Sequence, residues 1–339
     1  MTAKKEGIQR MLCRTANDLY WTSRHIERAE NTARLIDVTH RIALLPERLD
    51  PWRHDAGTWR RALDALGLVQ EYSRLNGPIV APKVLRYLCL DATNPSSIYS
   101  CIRAARESAR AQRGAITLEM YEDLNTSWLE MRKLSAERFE DEGVSRFVEW
   151  VKTRSASFRG MTVGTMGRDA AYHYLQLGTF LERADWGVRL MDVKYSEPST
   201  AEAGDARSAV GYYQWSALLH ALSAMETYRR HYRETISPER VAELMILNHD
   251  SPRSLATCTE VVYKTLIALA GPGNHEVVRQ AGALMAETRY GSLDDVLAQG
   301  MEVWLQRVMT RLFTLAQQVN RHFLLTPEIV EQAQEQSQG

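Results

Sequence analysis

Cysteine, glycine and proline are scarce in this chain, and net charge is absent. The four cysteines, Cys13, Cys89, Cys101 and Cys258, form no CxxC pair, so a structural zinc site or a redox dithiol has no sequence support. Free thiols in a cytoplasmic protein are the simple reading. Among 339 residues, 42 basic side chains balance 42 acidic ones. That balance argues against a nucleic-acid binder, whose footprint is a basic excess. At 45% hydrophobic residues the chain also lacks the composition of a disordered one. No run approaches the roughly 20 apolar residues that cross a bilayer, and residues 1–10 carry no apolar signal core. A cytoplasmic protein without membrane contact is expected. Gly-rich phosphate loops, a GxSxG elbow and an HExxH pair are missing too, so no cofactor is expected to bind the chain directly.

What the chain has is long, unpunctuated helical sequence. Ten prolines and 19 glycines leave stretches such as 96–113 and 115–142 almost free of breakers. These are rich in Ala, Leu, Glu, Arg and Met, the good helix formers. Alternating β-branched runs are absent, so the fold class expected is all-α. Breaks are expected at Leu45-Pro46, Asn76-Gly77-Pro78, Asn94-Pro95, Arg159-Gly160, 197–204, Ser237-Pro238, Ser251-Pro252 and Gly271-Pro272-Gly273. Pro95 and Pro252 read as first helical residues behind Asn94 and Ser251 caps, with anion binding near Arg253 as the alternative.

An internal repeat organises the chain. Residues 27–38 recur at 182–193, an offset of 155, with seven of twelve positions identical. Trp59, Leu63, Leu66 and Tyr72 then match Trp215, Leu219, Leu222 and Tyr228, and Leu90, Pro95, Ser97 and Cys101 match Leu247, Pro252, Ser254 and Cys258. Three collinear matches at nearly constant offset predict one helical domain over 1–327. It would be a bundle of two tandem pseudo-repeats (about 11–160 and 166–325) related by a pseudo-twofold axis, followed by a flexible tail at 328–339. Trp59 and Trp215 are expected in the core.

On a helix over 15–42, Ile26, Ala29, Ala33 and Ile36 share one apolar sector, while Ser23, Glu27, Glu30, Arg34 and Asp37 share an adjacent narrow strip. Glu182, Asp185, Arg189 and Asp192 repeat it. Four readings fit this spacing. Glu30 with Arg34 and Asp185 with Arg189 are i,i+4 surface pairs. Alternatively the strips form a buried ionic network at the seam, with Ala29, Ala33, Ala184 and Gly187 permitting close approach. As a site, they would grip a carboxylate, a phosphate or a zwitterion through Arg. As a metal site, they would need a ligand set for which the missing His and the intruding Arg are poor chemistry. Catalytic candidates are Glu27, Glu182 and His173. A second basic feature, Arg106, Arg110 and Arg113, shares one helix face and has no counterpart at Tyr263, Ile267 and Ala270. It reads as a solvated face, as a docking surface for Glu119 and Glu122, or as a site for an anionic partner.

These residues also resemble the alpha-E family, bacterial all-helical proteins with Glu-Arg motifs. The resemblance runs through Leu19-Tyr20-Trp21, Arg24-His25-Ile26-Glu27-Arg28-Ala29-Glu30 with Arg34, Asn94-Pro95-Ser96-Ser97, Arg103 to Arg110, and Leu181-Glu182-Arg183-Ala184-Asp185. One departure is Thr179, where the family pattern often has an Arg mirroring Arg24. The resemblance implies a neighbouring circularly permuted ATP-grasp protein and a part in peptide or amide bond formation. ATP and Mg would then be supplied through that partner ligase. The expected function is an accessory or substrate-binding partner of such a ligase, with a peptide or amino acid as substrate and a homo-oligomer among its assemblies. The alternatives are a stand-alone enzyme acting on amides through the Glu-Arg strips, or a carboxylate metal protein. The binding residues expected are Arg24, Glu27, Arg28, Glu30, Arg34, Arg106, Arg110, Arg113, Glu182, Arg183, Asp185 and Arg189.

Overall fold

The computed structural model describes residues 11–44, 55–134, 143–196, 209–273 and 275–324. Within them the chain is all-helical, with no strand. The elements are α1 Cys13–Ala43, α2 Asp55–Ala65, α3 Val69–Asn76, α4 Ala81–Cys89, α5 Ile98–Ala111, α6 Leu118–Arg132, α7 Val144–Thr165 and α8 Ala170–Tyr195. There follow α9 Ala209–Ala221, α10 Met225–Tyr232, α11 Pro238–Ile246, α12 Leu255–Ala270, α13 Glu276–Tyr290, α14 Leu293–Gln299, α15 Met301–Val319 and a π-helical turn over Asn320–Leu324. None of these helices is long and apolar enough to cross a membrane.

Two long helices form the axis. α1 lies along α8, α5 and α7, and α8 lies along α12 and α15 as well. The apolar sector of α1 serves two clusters. Ala29, Ala33 and Ile36 pack with Trp59, Leu63, Tyr72 and the α4–α5 side chains, while Leu19, Tyr20 and Ile26 join the cluster around α8, Trp215 and Tyr228. Trp59 and Trp215 are both core residues. Three of the cysteines are buried, and burial pushes the Cys101 and Cys258 thiols up to about 12, which removes them from thiolate chemistry.

Side-chain caps set several helix starts. Pro238 is the first helical residue behind the Ser237 cap. Pro95 and Pro252 differ from that expectation. Each sits in a turn closed by Ser97 N donating to Asn94 O and Ser254 N donating to Ser251 O. The caps are Ser97 and Ser254, whose hydroxyls accept from Ser100 N and Thr257 N. Asn94 instead holds the turn, accepting from Ser96 N and donating to Tyr87 O. A second correction concerns Arg159-Gly160, which does not break α7. The glycine costs about 1 kcal/mol of helix propensity, and buried Phe158 and Thr162 anchor the turns on either side of it. The expected breaks at 45–46 and 197–204 and the tail after 327 lie outside the described residues.

A close approach of α1 and α8 comes at a residue that periodicity did not flag. A Cβ on Gly178 would lie within hard contact of Tyr20 O and Ser23 Oγ, so only glycine lets the backbones meet there. Ala29, Ala33 and Ala184 are buried as well.

Candidate functional site

The narrow strips of α1 and α8 face each other and exchange partners. Glu27 on α1 accepts from Arg183 on α8, at 2.9 Å from Nε and 3.2 Å from Nη2. Glu182 on α8 accepts from Arg28 on α1, at 2.7 Å from Nε and 3.1 Å from Nη2. Both are two-pronged contacts, the strong geometry for guanidinium and carboxylate. Glu182 also accepts from Arg24 Nε at 2.7 Å, and Arg24 Nη1 donates to the Tyr20 hydroxyl.

Where the second half carries Thr179 instead of an arginine, Glu27 is served from elsewhere. Arg253, just before the Ser254 cap of α12, reaches Glu27 and Glu30 at 2.8 Å each and donates to Asn31 at 3.0 Å. The anion at this helix start is therefore the protein's own pair of glutamates. Glu30 further accepts from Arg34 at 2.8 Å, from Ser155 at 2.7 Å and from Arg159. Arg159 also lies 3.3 Å from Glu27. Arg159 and Ser155 escaped the sequence reading, because they sit 129 and 125 residues from Glu30 and belong to no strip.

Three glutamates thus face six arginines in the seam. Glu27, Glu30 and Glu182 are buried, and so are Arg183 and Arg253, whereas Arg24 and Arg28 keep 13% and 25% of their side chains in solvent. Burial alone would raise the glutamate carboxyls. For Glu27, Arg183 and Arg253 outweigh it, and for Glu30 Arg253 and Arg159 do so. For Glu182, Arg24 and Arg28 hold the carboxyl at about 2. A carboxyl depressed in the folded state stabilises it above the unfolded value and loses that stabilisation as pH falls through the folded value. We expect Glu182 to contribute about 3 kcal/mol at neutral pH, lost between about pH 4.5 and pH 2. Urea titrations across this range should show a steeper acid loss for the native chain than for Glu182→Gln.

The remaining expected site residues scatter. Asp185 and Arg189 pair at 3.2 Å with about a third of each side chain exposed, beside Glu182 but outside the sealed network. His173 stands in the first turn of α8, its ring against Tyr172, and burial lowers its pKa. It contacts none of the network glutamates. The α5 stripe divides. Arg106 binds Asn125 Oδ1 on α6 and Glu107, Arg110 pairs with Glu107, and Arg113 lies over the Tyr121 ring at 4.5 Å. The stripe therefore docks on Asn125 and Tyr121 and not on the expected Glu119 and Glu122, which lie on α6 faces turned to solvent. Among the described residues no three His, Cys, Asp or Glu side chains gather as a metal-ligand set, and the network glutamates spend their oxygens on guanidiniums.

Two clefts open beside the seam. One, of about 320 Å³, is lined by Trp21, Arg24 and Arg28 of α1, Asp185 and Arg189 of α8 and Phe313 of α15. The other, of about 410 Å³, lies at the far end of α1 among Arg34, Asp37, Arg41, Lys152, Tyr213 and His220.

The Alpha-E family model, a predicted alpha-helical domain with a conserved ER motif, matches residues 11–324. Uncharacterized proteins of Mycobacterium bovis and of two Mycobacterium tuberculosis strains are similar, at 24–25% identity over 326 residues. The match covers 87% of this chain and 35% of each relative, so the chain spans about a third of the length of these curated relatives. No solved structure matches it.

Proposed function

The chain belongs to the Alpha-E family, and from that premise we propose that it is an accessory, substrate-handling partner of an amide- or peptide-ligase system whose bond-forming step belongs to an ATP-grasp protein. ATP and Mg would be held by that partner. The observation that carries the reading is the saturation of the Glu-Arg strips. A general base needs an oxygen within reach of substrate and a pKa near the working pH. Glu27 and Glu182 offer neither, because arginines claim both oxygens of each and hold both carboxyls low. A stand-alone amide enzyme built on them is therefore disfavoured, and a carboxylate metal protein more so. The mycobacterial relatives support the reading in a second way: their matched stretch is embedded in a polypeptide about three times as long, as suits a helical unit that works beside another.

We propose with it that the scaffold is duplicated. The starts of α1 and α8, α3 and α10, α4 and α11, α5 and α12, α6 and α13, and α7 and α15 lie 156 to 158 residues apart. The Ser97 and Ser254 hydroxyls each donate to a carbonyl six residues back, Asp91 O and Asn248 O.

The test is co-purification of the tagged chain with an ATP-grasp protein encoded beside it, followed by amide-formation assays with and without the chain. We expect the isolated chain to be inactive and the partner's turnover to depend on it. Amide turnover by the isolated chain, lost in Glu27→Gln, would replace this reading with the enzyme.

A further inference from the structure

The two sides of the seam differ at one corresponding position, where one side carries a guanidinium and the other does not. Arg159 stands fifteen residues after the start of α7, and Ala316 stands fifteen after the start of α15. Arg159 inserts its guanidinium between Glu27 and Glu30. Ala316 inserts nothing beside Glu182 and Asp185, and the 320 Å³ cleft occupies that side.

One wall of the cleft carries the Asp185–Arg189 ion pair, whose carboxylate is answered by its own arginine at 3.2 Å, and the remaining walls have three chemistries. Arg24 spends Nε and Nη2 on Glu182 and Nη1 on Tyr20. Arg28 spends Nε and Nη2 on Glu182, while its Nη1 has no partner among the described residues. One guanidinium nitrogen with its two N–H donors, held in place by the two bonds from Nε and Nη2, is left over. Trp21 and Phe313 supply apolar area, and Phe313 is 63% exposed, so its ring is open to an incoming group. Gln317 and Asn320 add carboxamides at the mouth, each able both to donate and to accept. The volume is at the lower end of small-ligand sites, enough for one residue and its terminal group.

We propose that this cleft binds the C-terminal carboxylate of a short peptide ending in an apolar or aromatic residue. The carboxylate meets Arg28 with Arg24 behind it. The terminal side chain lies between Trp21 and Phe313, and the last peptide bond meets Gln317 and Asn320. This deepens and rests on the substrate-handling reading, since a ligase consumes such a carboxylate.

Titration calorimetry on the full-length chain tests it with three probes: N-acetyl-alanyl-phenylalanine, its C-terminal amide, and inorganic phosphate. We expect saturable binding of the acid, about tenfold or more weaker binding of the amide from loss of the charged hydrogen bonds, and little response to phosphate. Phe313→Ala should weaken the acid several-fold. Ala316→Arg should abolish its binding by filling the cleft as Arg159 fills the other side, with an unchanged helical circular-dichroism spectrum. The proposal fails if phosphate binds and the acid does not, if acid and amide bind alike, if Ala316→Arg leaves acid binding intact, or if nothing binds. Loss of acid binding with co-purification retained would sink the cleft alone. Loss of co-purification with acid binding retained would sink the ligase reading alone.

Discussion

Glu27→Ala should destabilise the protein by about 3–5 kcal/mol, the range for breaking a buried ion pair and leaving its partner uncompensated. Two guanidiniums, Arg183 and Arg253, would remain with 9% and 8% of their side chains exposed and no carboxylate at Glu27 to answer them. Arg183 is the more vulnerable, because Glu27 is the carboxylate it pairs with, whereas Arg253 keeps Glu30 and Asn31. Asp185→Ala is the control, since it removes an i,i+4 pair that is about a third exposed and should change stability by no more than about 0.5 kcal/mol. Urea midpoints read both. If the two variants unfold alike, the seam does not hold the helices together, and the case against a catalytic Glu27 weakens with it.

Gly178→Ala should cost about 2–4 kcal/mol, although alanine is normally the better helix residue by about 1 kcal/mol. The added methyl meets a carbonyl of α1 and the Ser23 hydroxyl together. The combination with Ser23→Ala makes the cause visible. It removes the hydroxyl but leaves the Tyr20 carbonyl, so at most a minor part of the loss should return. Full rescue would mean that the helices can part at this point and that the crossing is set elsewhere. Thermal unfolding followed by circular dichroism measures both variants.

The helical class was readable because breakers are few and the apolar residues of α1 recur at 3.6-residue spacing. The facing Glu-Arg strips were readable for the same reason, since Glu27, Glu182 and their neighbours declare a face locally. What completes the network was not. Arg159 and Arg253 belong to other helices or turns and reach Glu27 and Glu30 only after the whole chain has folded. Arg253 announced itself only as a charge beside a helix start, where capping was the first expectation and anion binding the alternative, and it pairs with the internal Glu27 and Glu30. Gly178 left no periodic signal, because a close approach depends on what lies across from it. The α5 arginines show the reverse case, a conspicuous stripe that is largely occupied by Glu107, Asn125 and Tyr121.

The exchange of partners between α1 and α8 has a consequence for synthesis on the ribosome. Arg159 and Arg183 follow Glu27 by 132 and 156 residues, and Arg253 follows Glu30 by 223 residues. At about 5–20 residues per second, the last of these counter-charges arrives roughly 10–45 s after the carboxylates it neutralises. Burying the polar strip of α1 before then would leave Glu27 without its arginines, although Glu30 already has Arg34 four residues on. The carboxylates of the seam are made before the arginines that answer them from α7, α8 and the α12 start, and the seam closes only once Arg253 has been made.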